Sequence, residues 1–436
     1  MRKETTVLSL TRRSVALGAA AALLLAGCGG GGDDKSSSSG GGAKKVTIEW
    51  WHIQNTEPLR PVWDQIAKQY MAQHPNVTIK IQPIENEAFK AKLTTTTQSG
   101  KAPDLFQSWG GGVLKQQADA GLVKDLTGDT QSWIGNIQPI ALKPFTLDGK
   151  LYGVPFDNGM VGFWYNKALF KKAGISAPPV TWTDFLNDVK KLKTAGITPI
   201  AVAGKAKWPE MYYWSYLAMR VGGADVFAKA AANNDFTGPD FIAAGQHLKE
   251  LSDLQPFQKG YLGADYDTPN GEAATVGLSK AAMELMGQWA PSVEETQSKK
   301  KLGDDLGFFP FPTVPGGKGQ VTDAFGGGNG FAIGKDAPPE TLDFLKYFVS
   351  VQNQQTAAAT GAVLPTAKGA ESGVKDTRQQ LVLKTVNGAS SFQLYLDQAF
   401  PPAVGQEVND QVSALVAGKA SPDQVAKAIT TTAKSQ

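Results

Sequence analysis

Val46, Ile48 and Trp50 alternate with polar residues, the period of a strand with one face buried. After Pro58 the spacing changes. Val62, Ile66 and Tyr70 share one stripe and Trp63, Ala67 and Met71 the next, which predicts an amphipathic helix stopped by His74-Pro75-Asn76. Alternation then resumes at Val77, Ile79 and Ile81. Strand, helix and strand in so short a span read as a βαβ unit of a mostly parallel sheet. A further helical stretch runs to Gly100, Pro103-Asp104-Leu105-Phe106 starts another strand, and a helix from Val113 ends at Gly121, placed as a C′ glycine.

A second region begins near Gly159, where Val161, Phe163 and Tyr165 alternate. Thr181 or Thr183 caps a helix with Phe185, Val189 and Leu192 on its apolar face. Ile197–Val202 and Ala282–Leu285 read as strands, and Glu210–Arg220 and Asp240–Leu254 as helices. Ala324–Ile333 reads as a loop leading into a strand, and Pro338-Pro339 opens a helix. Ser421-Pro422-Asp423-Gln424 has the form of a capping box.

The chain has 436 residues, which predicts two domains. Its first 27 residues read as an export signal: basic up to Arg12-Arg13, then an apolar run from Val15 to Ala26 that is too short to span a bilayer. Arg12-Arg13 after Thr11 matches the start of a twin-arginine signal, whereas Val15-Ala16 departs from the rest of it. Leu25-Ala26-Gly27-Cys28 resembles a bacterial lipobox, in which the cysteine becomes the lipid-bearing first residue. Residues 28–45 then have the Gly/Ser composition of a flexible tether. Removing Arg2, Lys3, Arg12, Arg13 and Glu4 with the leader reduces the 43 basic and 40 acidic residues to 39 of each. A neutral mature chain argues against nucleic acid as partner. One cysteine excludes an intrachain disulfide, and the three histidines share no metal-ligand spacing. No phosphate loop or nucleophile elbow occurs, and no cofactor or metal is expected.

What the sequence does carry is aromatic and amide side chains where predicted strands end. Trp50-Trp51-His52-Ile53-Gln54-Asn55 closes the first strand and Phe106-Gln107-Ser108-Trp109, followed by three glycines, closes the third. Ligands of open α/β sheets bind beyond such ends. A sugar offers C–H faces to flat rings and hydroxyls to amides and carboxylates. Trp50 and Trp63 lie on predicted core stripes; Trp109 beside its glycines suits a site. Trp208 and Trp214 suit either.

Several segments together resemble extracellular solute-binding proteins of the maltose-binding type, the receptors of ABC importers. They are Ala102-Pro103-Asp104-Leu105-Phe106, Tyr152-Gly153-Val154-Pro155 leading to Phe163-Trp164-Tyr165-Asn166-Lys167, Gly287-Gln288-Trp289-Ala290, Gly326–Phe331 and Gly418-Lys419-Ala420-Ser421-Pro422. The resemblance covers nearly all of residues 46–436, and Trp50–Pro58 with Phe106–Gly112 looks closest to actinobacterial lipoproteins that bind xylobiose or related β-linked oligosaccharides. It implies a hinged, two-lobed α/β fold with mostly parallel sheets flanked by helices. Lobe one would be 46–158 plus 322–364, and lobe two 159–321 plus 365–436. The resemblance also implies an oligosaccharide in the cleft, an ABC permease as partner, a monomer, and no catalysis; a secreted carbohydrate-active enzyme is the alternative. It places Trp289 as a stacking ring, Gly327 and Gly328 as cleft glycines with Asn329 beside them, and Tyr395 or Phe400 for a late aromatic contact. The full candidate set is His52, Gln54, Asn55, Glu57, Asn86, Ser108, Trp109, Asp157, Asn158, Trp208, Trp289, Gly327, Gly328, Asn329 and Tyr395, with Cys28 as lipid attachment.

Cys28→Ser is expected to release the protein into the medium or leave its leader uncleaved, since a diacylglycerol plus an amide-linked chain supplies the anchoring that one chain does not. Unchanged membrane fractionation of the variant would refute the lipoprotein reading.

Overall fold

The computed structural model describes residues 44–436; the leader, Cys28 and most of the tether lie outside the described residues. The first βαβ unit forms as the periodicity predicts. Val46–His52 and Val77–Pro83 pair in parallel from Val46↔Val77 to His52↔Pro83, and the helix Leu59–Gln73 between them buries Trp63, Ile66, Ala67 and Tyr70. The sheet order is Val77–Pro83, Val46–His52, Leu105–Ser108, Gly330–Ile333, Gly153–Pro155, with Gly330–Ile333 antiparallel to both neighbours. Trp50 and Trp63 are fully buried. Trp50 meets Phe331, Phe344 and Phe348 edge-on at 5.2–5.6 Å, and Trp63 meets Phe348 at 4.9 Å. Such pairs add about 0.5–1.5 kcal/mol each beyond their buried area.

The second core surrounds a sheet ordered Leu306–Phe309, Gly162–Asn166, Ala281–Met286, Thr198–Ile200. The expected strand Ile197–Val202 is thus shorter: the Ala201 N–H still donates to the Met283 carbonyl, but Val202 pairs with the Gln258 side chain instead of a strand. The expected helix Glu210–Arg220 runs from Trp208 to Gly222 and is buried over nearly its whole circumference, so no amphipathic stripe marked its ends. Thr181 caps the Trp182–Thr194 helix by accepting from the Asp184 N–H at 3.1 Å, and Ser421 and Gln424 form the expected capping box.

A small sheet joins the two cores: Ser391–Leu394, Asp323–Gly327 and Gly159–Met160. Ala324 and Phe325 belong to the second core, whereas Phe331 and Ile333, a few residues on, belong to the first. The stretch read as a loop into a strand is therefore two strands with a crossing at Gly328-Asn329. This corrects the crossing expected at Val321-Thr322. The third crossing also lies later than Leu364-Pro365, because Thr366 and Lys368 still bond Gln138 and Asn136 of the first lobe and Ala370 packs in its core. At these crossings glycine is needed for close approach. A Cβ on Gly328 would overlap the Asp157 carbonyl, and one on Gly326 the Gly159 carbonyl.

Gly328→Ala is expected to destabilise by about 1–3 kcal/mol, because the obstacle is backbone and not a side chain that can rotate away. Gly135, whose Cβ would meet open space, supplies the control: Gly135→Ala should stay within about 0.5 kcal/mol in the same denaturant melt.

Candidate ligand-binding cleft

Asp157 sits at the first crossing, 1% exposed. Its Oδ1 accepts the Leu364 N–H at 2.9 Å; its Oδ2 accepts Asn329 Nδ2 at 2.7 Å and Gln288 Nε2 at 2.8 Å. Asn329 Oδ1 in turn accepts Gln107 Nε2 at 2.6 Å. The Phe156 and Asp157 N–H groups donate to the Asn329 carbonyl, and the Asn158 N–H donates to that of Leu364. One carboxyl thus ties together the first two crossings, the segment that leads to the third, and the Gln288 turn of the second lobe. Burial pushes it up to about 7, against the pull of those donors.

Beyond this knot the second lobe presents a row of aromatic rings. Trp289 follows the Ala281–Met286 strand and starts the Ala290–Ser298 helix. The turn that carries it is held by Trp164 Nε1, which donates to the Met286 and Gly287 carbonyls, and by Gln379 Nε2, which donates to the Gln288 carbonyl. Trp289 meets Tyr395 edge-on at 6.3 Å. Tyr395 stacks on Tyr212 at 5.3 Å, Tyr212 neighbours Trp208 at 5.4 Å, and Trp208 meets Tyr266 at 5.4 Å. Gly327 leaves the space that the Tyr395 ring occupies.

The first lobe answers with Trp109, edge-on to Phe89 at 5.8 Å under the Lys90 ammonium. Lys90 pairs with Asp397 of the second lobe at 3.4 Å. Burial pulls the Lys90 ammonium down, but Asp397 and Glu87 outweigh it and hold its pKa above the usual value. Beside the pair the lobes meet backbone to backbone: a Cβ on Gly111 would overlap the Gln398 carbonyl, and one on Gly112 the Phe400 carbonyl. Gly111 and Gly112 thus abut the Gln398–Phe400 backbone, whereas Gly110 lies against Pro144.

The structure gathers Asp157, Gly327, Gly328, Asn329, Trp289 and Tyr395 at one place, with Asn158 half-buried beside them. Trp208 joins them through the aromatic row. Gln54 is half-buried, and Asn55 and Glu57 are exposed, on the loop after the first strand. Asn86 is half-buried and donates to Glu87 Oε1 at 2.7 Å. Ser108 is buried and accepts the Gly110 N–H at 3.2 Å, which makes it a turn former. His52 is corrected outright: it is fully buried edge-on to Trp50 at 4.7 Å, with neither ring nitrogen partnered. Burial, aided by Arg60, lowers it to about 3, so it is a neutral core residue. Asp157 and Gly328 are likewise internal to the junction. Phe400 packs on Phe236 and Phe227, away from the row, which leaves Tyr395 as the late aromatic. Sequence reasoning missed Gln107, Gln288, Lys90, Asp397, Tyr212 and Tyr266 as site residues. Gln107 carried a signal, an amide in a strand whose four residues are all buried. Lys90 and Asp397 are 307 positions apart and carried none.

Residues 55–355 match the family model of the bacterial extracellular solute-binding proteins, well over half the chain. The chain belongs to that family. The solute-binding protein is 27% identical over 377 residues to an uncharacterized ABC transporter extracellular-binding protein of Pyrococcus horikoshii, covering 83% of this chain and 81% of that one. It is 25% identical over 323 residues to the multiple sugar-binding protein of Streptococcus mutans, covering 71% and 73%. Its fold superimposes with a TM-score of 0.83 on a protein solved in a study of xylan utilization by the thermophilic bacterium Caldanaerobius polysaccharolyticus, at 26% identity over 88% of this chain and 99% of the other. A chitin oligosaccharide binding protein shares the fold at 0.82 and 24% identity, covering 90% and 98%. These neighbours have the two-lobed, hinged α/β architecture expected from the sequence. Among the described residues no helix is long and apolar enough to cross a membrane, and no group of three or more His, Cys, Asp or Glu is arranged to hold a metal ion.

The Asp157 knot has a measurable pH signature. Its folded value of about 7 exceeds the free value of 3.8, so between those limits the native state holds a proton that the unfolded chain has released. Its contribution is complete below that window and declines as pH rises through 7. Asp157→Asn is expected to lessen the slope of melts taken across the window by the share of one proton, about 1.4 kcal/mol per pH unit at most, the other buried carboxyls keeping theirs. It should also cost about 1–3 kcal/mol, because the amide turns an N–H toward a donor. An unaltered slope would show that another group titrates.

Proposed function

We propose that this protein is an extracytoplasmic receptor that binds an oligosaccharide, xylobiose or a short xylo-oligosaccharide, between its lobes and delivers it to an ABC permease. The observation that carries the reading is the half-buried Trp289 at the head of a run of adjoining rings, Tyr395, Tyr212, Trp208 and Tyr266, beside the Asp157 junction. Flat rings stack on the C–H faces of pyranoses, while half-exposed groups such as Gln54, Asn86 and Asn158 serve the hydroxyls. The names of the sugar-binding relatives and the xylan-utilization origin of a close structural match support the same ligand class. The relatives are binding proteins, which favours a receptor over a secreted enzyme.

On this reading lobe one comprises about 46–158 and 328–370 and lobe two the remainder. Closure turns about the Asp157 knot, and ligand favours the closed state by binding it better than the open one. The protein works as a monomer, without a cofactor, held to the membrane by a lipid on Cys28.

Trp289→Ala tests the wall. Loss of one stacking face is worth about 1–3 kcal/mol, so titration calorimetry with the best ligand from an oligosaccharide panel should show affinity reduced by about 5–150-fold. Trp289 is only half-buried, so the ligand-free melt should change little. A core role would show the opposite pattern: about 3–5 kcal/mol of lost stability with parental affinity at low temperature.

A further inference from the structure

Behind the aromatic row the second lobe contains four glutamates, Glu210, Glu272, Glu284 and Glu294, each at most 1% exposed. The Ala203 N–H donates to one oxygen of Glu272 at 2.6 Å. The other Glu272 oxygen and both oxygens of Glu284 and Glu294 meet no N–H donor. What Glu284 does meet is carboxyl: it lies within hydrogen-bond reach of Glu272 on one side and Glu294 on the other. Two carboxyls share a hydrogen bond only if one of them carries a proton. A second observation points into the same space. The hydroxyls of Tyr213 and Tyr266, 1% and 8% exposed, have no partner, and the charged groups nearest them are these glutamates.

The cluster also joins the two ends of the row. Glu284 lies on the strand that leads to Trp289, and Glu294 is in the helix that Trp289 starts. Glu272 opens the Glu272–Gly277 helix, which packs so closely on the Glu294 helix that a Cβ on Gly277 would strike the Glu294 carbonyl. Tyr266 leans on Trp208. We propose that Glu272, Glu284 and Glu294 form a protonated, hydrogen-bonded chain that positions the stacking wall of the cleft, so that its ionisation weakens ligand binding; this rests on the oligosaccharide reading above.

The groups facing the chain do not neutralise it. Lys207 stands near Glu210, and Arg378 near Glu294 is already paired with Asp376. Glu295 and Asp267 add negative charge from the helix and the loop, and Ser413 faces Glu210 from the helix Pro402–Val416. Burial, then the neighbouring carboxyls, holds Glu284 and Glu294 well above the usual carboxylate range; burial does the same for Glu272 and pushes Glu210 up to about 8. The sign separates two readouts. Folding stability declines from about pH 4.5 upward, where the unfolded chain releases protons that the native chain keeps. Ligand affinity responds to this chain only where the native glutamates themselves ionise, well above the ordinary carboxylate range, while Asp157, held up to about 7, titrates alike in parent and variant.

The test compares the parent protein with Glu284→Gln, a neutral isostere that preserves donors and acceptors, by titrating xylobiose and a panel of oligosaccharides at about pH 6.5 and about pH 9.5. The parent should lose about tenfold or more in affinity at the higher pH, and the variant less than about threefold. Equal profiles, or a parent whose affinity is level, overturn the proposal. Glu294→Gln replaces the variant if Glu284→Gln does not fold. If no sugar binds at either pH, the oligosaccharide reading fails by itself. Tryptophan emission of the ligand-free proteins then decides: an alkaline red shift in the parent but not in the glutamine variant supports the chain, and matching spectra reject it.

Discussion

A single buried carboxyl, that of Asp157, is the point on which the two lobes depend. Three segments pass between the cores, and each would bring backbone donors and acceptors into a region without water. A buried polar group left unpaired costs about 1–3 kcal/mol, so the crossing has to be saturated. Asp157 takes donors from the crossing at Asn329, from Leu364 before the last crossing, and from Gln288 on the second lobe. Its neighbour Asn158 closes the remaining carbonyl. The junction is therefore a hydrogen-bonded knot set between the two cores.

Sterics at the junction work to the same end. Gly326, Gly327 and Gly328 bring the Asp323–Gly327 strand against Gly159, Tyr395 and Asp157, where any side chain would overlap. The result places Tyr395, and Trp289 against it, beside the junction of the lobes. At the far contact Gly111 and Gly112 meet Gln398 and Phe400, and the Lys90–Asp397 pair lies next to them. The aromatic row is thus bracketed by two places where the lobes touch.

The second lobe treats buried charge in two opposite ways. Arg220 is fully buried, yet its guanidinium donates to the carbonyls of Phe311, Pro312 and Asp323, and it lies 5.0 Å over the Tyr216 ring. A cation each of whose three nitrogens donates to a carbonyl ties the Trp208–Gly222 helix to the start of the Asp323–Gly327 strand. Glu284 and Glu294 have no such partners, and on the reading proposed above protons accommodate them instead.

The sequence alone determined what is local. The period of Val46–Ile81 settled the first βαβ unit, and Thr181 and Ser421 the starts of their helices. These depend on neighbours within a few positions. The Trp208–Gly222 helix and the pair of strands around Gly328 were blurred because burial on every side, or a run of glycines, erases periodicity. His52 shows the limit most plainly: a polar side chain at a strand end reads as a site residue, and only the packing of Trp50 and its surroundings sealed it from solvent. The links Asp157–Asn329, Lys90–Asp397 and Glu284–Glu272 join residues from different elements, the first two far apart in sequence. Their partners are chosen by how two lobes and three crossings meet in space, which no local pattern encodes. Tertiary structure decided them, because burial removes water and leaves each polar group only the partners that folding brings within reach.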